Sequence, residues 1–314
     1  MKTIDVSGVK VSEIALGAGK RGPLENDAAC FAVMDRYAEK GGRTFDSARI
    51  YAAGEADKAL GRWLKKTGMR DECTIIAKGC HPDLSDMFTP RLSPEDIRGD
   101  LEKSIQAMGV DHADLYLLHR DFPKKPVSEI MPALHELVVS GKTRAIGCSN
   151  WTVGRIAEAN LFAVENGLTP FSICQLHYSL GLTTASQVGD WTYVPMNDVE
   201  FGWYAETQFP VMGFGAQGRG YFKRVIDGEE LRPDDLRYYD YIPENRRRAR
   251  RLKKLSADLG RSPAAILIAY TRDSALNCVP LCAYSTVEQL DEAFDALDFT
   301  LSPSQIAYLD GWMD

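Results

Sequence analysis

Three short β-rich segments in the first half of the chain end in side chains that can exchange a proton. Asp46 lies at the end of the first, within TFDSARIYAAGE, Lys78 at the end of the second, within IIAKG, and His119 at the end of the third, within LYLLH. Tyr51 follows shortly after Asp46. Carboxylate, ammonium, imidazole and phenol groups are those that enzymes use for general acid–base catalysis. One such residue alone is usually an ordinary polar side chain, but the four at matching positions indicate an active site.

These side chains meet only if the segments are neighbouring parallel strands. Short β-rich segments alternate with amphipathic stretches along the chain, which is typical of an α/β protein with a parallel sheet. Eight such units close a (β/α)8 (TIM) barrel, whose functional residues lie at the carboxyl ends of the strands. A doubly wound open sheet is the alternative, but no GxGxxG follows the first strand, where that fold would place it. The predicted strands are Glu13–Leu16, Arg43–Asp46, Cys73–Ala77, Ala113–Leu118, Arg144–Cys148, Phe171–Cys174, Val211–Phe214 and Asn277–Leu281.

Local signals complete the predicted architecture. The residues around Ser7 and Gly8 predict an N-terminal β-hairpin. Ser-Pro pairs that begin at Ser93, Ser262 and Ser302 predict helix starts, because serine caps a helix and proline is favoured at its first position. Nothing in the sequence marks an internal boundary, so we expect a single barrel domain over residues 1–314.

One long connection interrupts the alternation. Residues 178–210 predict a loop with only a short helix near Trp203–Gln208, and a loop of this length in a compact domain is usually functional. Its aromatic and acidic residues would suit a sugar, a polyol or a polar aromatic ketone as substrate. The alternative is that the aromatic rings only pin the loop to the barrel. The aromatic residues are Trp191, Tyr193, Phe201, Trp203 and Tyr204.

The composition excludes several classes of partner. The net charge is −7, and an acidic protein is repelled by nucleic acid and by anionic membranes, so we expect neither as a partner. The N-terminal residues have no continuous apolar core like that of a signal peptide. Seven cysteines without a CxxC pair fit a reducing, cytoplasmic environment. Five histidines without HxH or HExxH spacing predict no metal site.

Four motifs in order resemble the aldo-keto reductase superfamily over nearly the whole chain. FDSARIYAAGE is similar to the family's F-D-T-A-x-x-Y-G-x-x-E signature, and IIAKG and DLYLLHR are similar to its lysine and histidine strands. SGKTRAIGCSNW is similar to its S-G-K-x-R-x-I-G-x-S-N-F segment. The resemblance implies a (β/α)8 barrel that uses NAD(P)H to reduce an aldehyde or ketone to an alcohol, or that catalyses the reverse reaction.

The resemblance also implies a role for each of the four residues. Tyr51 would be the general acid, or the base in the oxidative direction. Lys78 would stabilise the deprotonated form of Tyr51, because a cation beside a phenol favours the phenolate. Asp46 would keep the Lys78 ammonium charged and oriented. His119 would hydrogen-bond and orient the substrate oxygen.

Cofactor contacts follow from the same resemblance. Ser149, Asn150 and Gln175 match residues that hold the nicotinamide carboxamide, and Phe214 matches the aromatic residue that stacks on the nicotinamide ring. The segment GFGAQGRGYF resembles the loop that wraps the pyrophosphate, although Gly215 and Ala216 replace Ser-Pro there. The residues of this loop that we expect near the cofactor are Gly215, Ala216, Gly218, Arg219 and Gly220.

The adenine end departs further from the family. Ser285 and Gln289 can hydrogen-bond a phosphate or the ribose hydroxyls, but the segment 283–293 contains neither arginine nor lysine. The expected cofactor is therefore NADP(H), with NAD(H) or use of both as the alternative. A second alternative is a nucleotide-binding barrel that serves as a regulatory or interaction subunit with weak turnover. The sequence does not identify the small-molecule substrate or the oligomeric state.

Overall fold

A computed structural model describes residues 1–18 and 27–313 of the chain. Its first two strands, β1 (Thr3–Val6) and β2 (Val9–Ser12), pair antiparallel. Ser7 and Gly8 between them have φ angles of 50° and 85°. Two successive residues with positive φ form the type I′ turn that joins two-residue hairpins. The predicted N-terminal hairpin is confirmed.

Eight further strands form a closed parallel barrel, which confirms the predicted fold. In the barrel each strand is hydrogen-bonded to the next one along the chain, and the last strand lies beside the first. The strands are β3 (Ala15–Gly17), β4 (Thr44–Asp46), β5 (Thr74–Gly79), β6 (Ala113–Leu118), β7 (Thr143–Ser149), β8 (Cys174–His177), β9 (Val211–Phe214) and β10 (Cys278–Cys282).

The sixth barrel strand begins later than the sequence predicted. The prediction of Phe171–Cys174 is wrong by three residues, because β8 spans Cys174–His177. Asn160 accounts for the first of these residues, since its side-chain oxygen accepts from Phe171 N at 2.8 Å and its side-chain nitrogen donates to Phe171 O at 3.2 Å. A side chain thus replaces a neighbouring strand as the partner of that backbone. The shift places Gln175 and His177 within the strand.

Helices alternate with the strands, and the three predicted Ser-Pro starts are confirmed. Ser93, Ser262 and Ser302 each accept a hydrogen bond from a backbone N–H of the first helical turn. The helices are α1 (Asp27–Glu39), α2 (Glu55–Thr67), α3 (Pro94–Met108), α4 (Val127–Val139), α5 (Val153–Glu165), α6 (Ala185–Val188), α7 (Asp198–Thr207), α8 (Tyr221–Asp227), α9 (Pro233–Asp235), α10 (Pro243–Leu259), α11 (Pro263–Arg272), α12 (Val287–Phe294) and α13 (Pro303–Asp310). Short 3₁₀ turns lie at Tyr51–Gly54, Arg70–Glu72, Gly218–Gly220 and Asp295–Asp298, and a π-helical turn lies at Leu236–Asp240.

The long connection after β8 is more ordered than the sequence predicted. We expected one short helix near Trp203–Gln208, but the structure contains both α6 and a ten-residue α7. Asn197 starts α7, because its side-chain oxygen accepts from the N–H groups of Val199 and Glu200. An asparagine followed by acidic residues is a helix-start signal, so this helix was readable from the sequence.

Contacts between Cα atoms group the chain into two compact units. The first unit comprises Met1–Gln175 and Ala283–Ser285, and the second comprises Leu176–Cys282 and Thr286–Asp314. A single domain over residues 1–314 stays a prediction. Among residues 1–18 and 27–313, no helix is both long and apolar enough to cross a bilayer.

The turn between β4 and α2 holds three successive residues in the left-handed region. Ala52, Ala53 and Gly54 have φ angles of 48°, 54° and 92°. A Cβ atom on Gly54 would meet only the flexible end of the Arg49 side chain, so this glycine is needed for its backbone conformation and not for space. Left-handed backbone costs a non-glycine residue about 1–2 kcal/mol. The turn that carries Tyr51 into position is therefore strained.

Replacing Ala53 by glycine measures this strain. Ala53→Gly should leave the free energy of unfolding unchanged or raise it by up to about 1 kcal/mol, because relief of strain offsets the greater entropy of the unfolded chain. The matched control is Ala157→Gly, at an exposed alanine inside α5, which should cost about 1 kcal/mol. Urea denaturation measures both. Equal destabilisation of the two variants would show that Ala53 is not strained.

Candidate active site

A buried ion pair lies at the carboxyl ends of β4 and β5. The Lys78 ammonium lies 2.5 Å from Oδ1 of Asp46 and also donates to Oδ2. The side chains are 0% and 2% exposed. Burial acts to lower the pKa of Lys78, but the charge of Asp46 and the adjacent Tyr51 outweigh burial and raise it. Lys78 is therefore a cation at neutral pH in a place that water does not reach.

The register of the parallel strands brings these residues together. Asp46 pairs with Ile76, two residues before Lys78, in the β4–β5 ladder. The turn that follows β4 continues along the neighbouring strand, because Arg49 N donates to Lys78 O at 2.9 Å. His119 N likewise donates to Gly79 O at 2.8 Å, just past the end of β6. Three strand ends are thus tied together through the backbone.

Tyr51 and His119 lie beside the ion pair. The Lys78 ammonium is 5.0 Å from the centre of the Tyr51 ring. The rings of Tyr51 and His119 meet edge to face, with their centroids 5.6 Å apart. Tyr51 is partly exposed, whereas His119 is 6% exposed. The structure therefore brings the four sequence-predicted residues Asp46, Tyr51, Lys78 and His119 into one cluster in the first unit.

His119 is held as a neutral imidazole. Burial, followed by the positive charges of Arg120 and Lys78 and a contribution from His81, lowers the pKa of His119 well below its usual value. Its Nδ1 is buried and has no hydrogen-bond partner among the described residues. A neutral imidazole carries one proton, and an unpaired buried N–H is costly, so we assign that proton to Nε2.

Sequence reasoning missed His81, which packs against His119. The two rings meet edge to face with centroids 4.8 Å apart, and His81 is 8% exposed. The turn that carries it is unusual, because Cys80 has a φ of 64° and its N–H donates to Asp100 Oδ2 at 2.8 Å. Gly79 before it leaves no room for a side chain, since a Cβ there would lie 2.1 Å from the Tyr116 hydroxyl. A histidine three residues after Lys78 was the available signal.

Asp57 is a second supporting residue that the sequence reasoning missed. Its carboxylate accepts from Ser47 Oγ at 2.5 Å and from Ser104 Oγ at 2.8 Å. Burial raises the pKa of Asp57, although the two serine hydroxyls partly oppose that effect. Ser47 directly follows Asp46, so this network fixes the start of the turn that leads to Tyr51. The residue lies two positions beyond the matched motif, and its partner Ser104 is distant in sequence.

The three residues expected at the nicotinamide carboxamide lie close together in the first unit. Asn150 Nδ2 donates to Ser149 Oγ at 3.0 Å, and Asn150 N donates to Gln175 O at 3.0 Å. Gln175 also reaches the ion pair, since its Nε2 donates to Asp46 Oδ1 at 2.9 Å. That contact gives Gln175 a role in orienting Asp46 that the sequence did not suggest. All three side chains are at most 2% exposed.

Phe214 ends β9 in the second unit and is partly exposed. Its ring meets those of His177 and Tyr193 edge to face, with centroids 5.8 Å and 5.7 Å away. Sequence reasoning did not single out His177, which is 4% exposed. Burial, with a smaller contribution from the charge of Arg219, lowers the pKa of His177 to about 3, so this imidazole is neutral at physiological pH.

The segment after Phe214 forms a compact loop. Gly215, Gly218, Arg219 and Gly220 have positive φ angles of 75°, 56°, 53° and 82°. Gly218 N donates to Gly215 O and Gly220 N donates to Gln217 O, so these two amides close turns within the loop. Ala216 is buried.

Arg219 makes contacts within the second unit. Its guanidinium lies 4.5 Å from the centre of the Tyr238 ring and 3.8 Å from Asp234. Its carbonyl accepts from Arg224 and Arg232.

The residues expected at the adenine end are both exposed. Ser285 belongs to the first unit, and Gln289 lies in the first turn of α12 in the second, where its N–H donates to Thr286 Oγ1 at 3.3 Å. In the described part of the chain, no group of three or more His, Cys, Asp or Glu side chains could hold a metal ion.

Comparison with known proteins gives this geometry a family context. The chain is 28% identical to norsolorinic acid reductase of Aspergillus flavus, with 97% of this chain and 78% of that protein aligned. It is 26% identical to a Saccharomyces cerevisiae protein named as an aryl-alcohol dehydrogenase, with 97% and 84% aligned. The crystal structure of an aldo-keto reductase from Klebsiella pneumoniae in complex with NADPH has the same fold, with a TM-score of 0.74, 21% identity, and 99% of this chain and 94% of that chain covered.

The family model described as the aldo/keto reductase family matches residues 13–314. The match covers the four clustered residues as well as the segments after β9 and β10. The chain therefore belongs to the aldo/keto reductase family and is an NAD(P)H-dependent oxidoreductase.

Proposed function

We propose that this oxidoreductase reduces the carbonyl group of an aryl, sugar or other polar aldehyde or ketone, or oxidises the corresponding alcohol, with Tyr51 as the acid or base. The observation that carries the proposal is the buried Asp46–Lys78 pair beside Tyr51. Burial of the Lys78 ammonium costs free energy. Its position next to the Tyr51 phenol indicates a catalytic role that offsets this cost.

Each of the four side chains has a separate role in proton transfer. Tyr51 donates its proton to the carbonyl oxygen, because that oxygen becomes negative as hydride reaches the carbon. Lys78 stabilises the phenolate that remains, and Asp46 holds the ammonium in place. His119 donates a hydrogen bond from Nε2 to the same oxygen and thereby orients the carbonyl. The nicotinamide nucleotide supplies or accepts the hydride when it is bound.

The chain's own residues fit a nicotinamide cofactor. In the first unit, Ser149 and Asn150 present paired polar groups at a strand end, as an amide ligand requires. In the second unit, the partly exposed ring of Phe214 suits stacking on a nicotinamide. We propose NADP(H), the cofactor named for the Klebsiella pneumoniae relative, although residues 283–293 contain no cation to bind a 2′-phosphate.

The proposed substrate class combines the relatives' names with the loop after β8. Names that specify norsolorinic acid and aryl alcohols favour an aromatic carbonyl. Two loop aromatics are committed to packing, since Tyr204 is fully buried and Tyr193 contacts Phe214. Trp191 is 44% exposed and is the loop aromatic best able to meet a substrate ring. A benzaldehyde should therefore be reduced with a higher kcat/KM than an aldose.

Replacing Tyr51 by phenylalanine separates catalysis from binding. Tyr51→Phe should lower kcat by about 10²- to 10⁴-fold, the range for loss of a general acid, and leave nucleotide affinity unchanged. Steady-state assays with a benzaldehyde and nucleotide titrations measure the two effects. Tyr241→Phe, at a tyrosine that is 80% exposed, is the matched control and should behave as wild type. Unchanged turnover in Tyr51→Phe would refute the assigned role, whereas absence of turnover in the wild type would favour a regulatory nucleotide-binding barrel.

Removing Asp46 tests the dependence of Lys78 on its partner. Asp46→Asn should lower the free energy of unfolding by about 3–5 kcal/mol at neutral pH, because an unpaired ammonium remains buried. The double variant Asp46→Asn/Lys78→Met should recover much of that stability but no activity. Since folding raises the pKa of Lys78, the stability from the pair is fully present at neutral pH and is lost as pH rises through that folded-state pKa. A double variant less stable than Asp46→Asn would contradict this account.

Nucleotide titrations test the cofactor assignment. Quenching of intrinsic tryptophan fluorescence should report tighter binding of NADPH than of NADH, and Phe214→Ala should weaken both by about 10-fold through lost stacking. Phe209→Ala is the matched control, because Phe209 is also partly exposed but packs on Trp203 and Tyr204. Tighter binding of NADH would show that the segment 283–293, which lacks arginine and lysine, has changed the cofactor.

A further inference from the structure

We infer that His177 and Tyr239 form a positioning pair that sets the orientation of the Phe214 ring and of the Gly215 backbone, and through them the geometry of hydride transfer. The inference rests on the proposed function, since it takes Phe214 as the residue that stacks on the nicotinamide. It adds two residues to which no catalytic motif in the sequence points. All four residues belong to the second unit, so the pair acts within one compact body.

His177 contacts both parts of the proposed nicotinamide seat, the Phe214 ring and the Gly215 backbone. Its ring centroid is 5.8 Å from that of Phe214, at an angle of 74°. A Cβ atom on Gly215 would lie 2.8 Å from Cδ2 and 3.0 Å from Nε2 of His177, so the backbone approaches the imidazole too closely for a side chain at this position. Tyr178 N, next along the chain, donates to Phe214 O at 3.2 Å. A shift of the imidazole would therefore move the ring and the loop together.

Tyr239 contacts the Nε2 edge of the imidazole. Its hydroxyl lies 3.3 Å from Nε2 of His177, within hydrogen-bond distance, and the ring centroids are 6.2 Å apart. Tyr239 is 2% exposed and lies in the π-helical turn Leu236–Asp240. Such turns are rare and often occur at functional sites. Asn245 Nδ2 donates to Tyr239 O at 2.7 Å, which anchors the turn on α10.

The pair acts by position and not by transferring a proton. His177 is neutral at physiological pH, so it is neither a cation for the pyrophosphate nor an acid in the reaction. The imidazole supplies a flat ring whose Nε2 edge lies within hydrogen-bond distance of the Tyr239 hydroxyl. The remaining contact, with the Tyr193 ring at 5.8 Å, fixes the imidazole from the loop after β8. Preorganised groups of this kind affect rate because misplacement of the reacting atoms by a fraction of an ångström is costly.

Tyr239→Phe is the cleanest test, because it removes the hydroxyl and leaves the ring. We expect it to weaken nucleotide binding by about 2- to 10-fold, which corresponds to loss of one neutral hydrogen bond. His177→Leu should weaken binding at least as much, and His177→Gln should restore part of the loss by offering a polar group to Tyr239. The double variant Tyr239→Phe/His177→Leu should be no worse than His177→Leu, because the two residues act as one unit.

Two readouts separate positioning from simple packing. With (4R)- and (4S)-deuterated nucleotide, Tyr239→Phe and His177→Leu should show a larger primary isotope effect on kcat or transfer from the wrong face of the ring. The control is Tyr270→Phe, at a buried tyrosine of the second unit whose hydroxyl donates to Asp310 at 2.7 Å. It should lower the thermal midpoint without changing nucleotide affinity or the isotope effect.

The outcomes separate this inference from the proposed function. If the wild type binds nucleotide and turns over, but Tyr239→Phe and His177→Leu change only the thermal midpoint, as Tyr270→Phe does, the pair is structural and the inference is overturned alone. If the wild type binds neither nucleotide, the proposed function and the inference fail together. Changed affinity and isotope effect in the pair variants, with a silent control, support both.

Discussion

The structure of the first unit depends on one buried charge. An ammonium that is removed from water must be paired, and within the described part of the chain Lys78 is paired with one carboxylate, that of Asp46. Asp46 in turn accepts from Gln175, so three different strands contribute to one ionic cluster. The strand register must place these side chains opposite one another, and the closed barrel does so without any local sequence contact between them. The charge of Lys78 favours the phenolate of Tyr51 and contributes to the lowered pKa of His119.

Backbone strain is concentrated where the strands of the first unit end. Ala52 and Ala53 follow β4, Cys80 follows β5, and Asn150 follows β7, and all four have positive φ. These are residues that adopt the left-handed region only at a cost, and such costs are typical of functional sites. At Cys80 the cost is offset by the Asp100 carboxylate, which accepts the Cys80 N–H. The turns that leave the barrel are therefore held by tertiary contacts and not by the preferences of their own residues.

The second unit supports an aromatic ring, that of Phe214, and the compact loop that follows it. The ring is supported by neutral groups, because His177 is too deeply buried to carry a charge. Glycine at 215 lets the backbone approach the imidazole, and the π-helical turn brings Tyr239 against its edge. Charge thus organises the cluster around Tyr51, whereas shape and aromatic contact organise the surroundings of Phe214.

The sequence by itself determined the number and order of the strands, the hairpin, the Ser-Pro helix starts and the four clustered residues. These features depend on local patterns, namely alternation of element types, capping preferences and motifs at strand ends, which are legible without knowledge of distant contacts. The tertiary structure decided the rest. The pairing of the Phe171 backbone depends on Asn160, and the roles of Asp57, His81, Gln175 and His177 depend on partners far along the chain. Hydrogen bonding and burial are properties of a folded neighbourhood, so spacing within the sequence could not reveal these partners, even where it marked a residue such as His81 as a candidate.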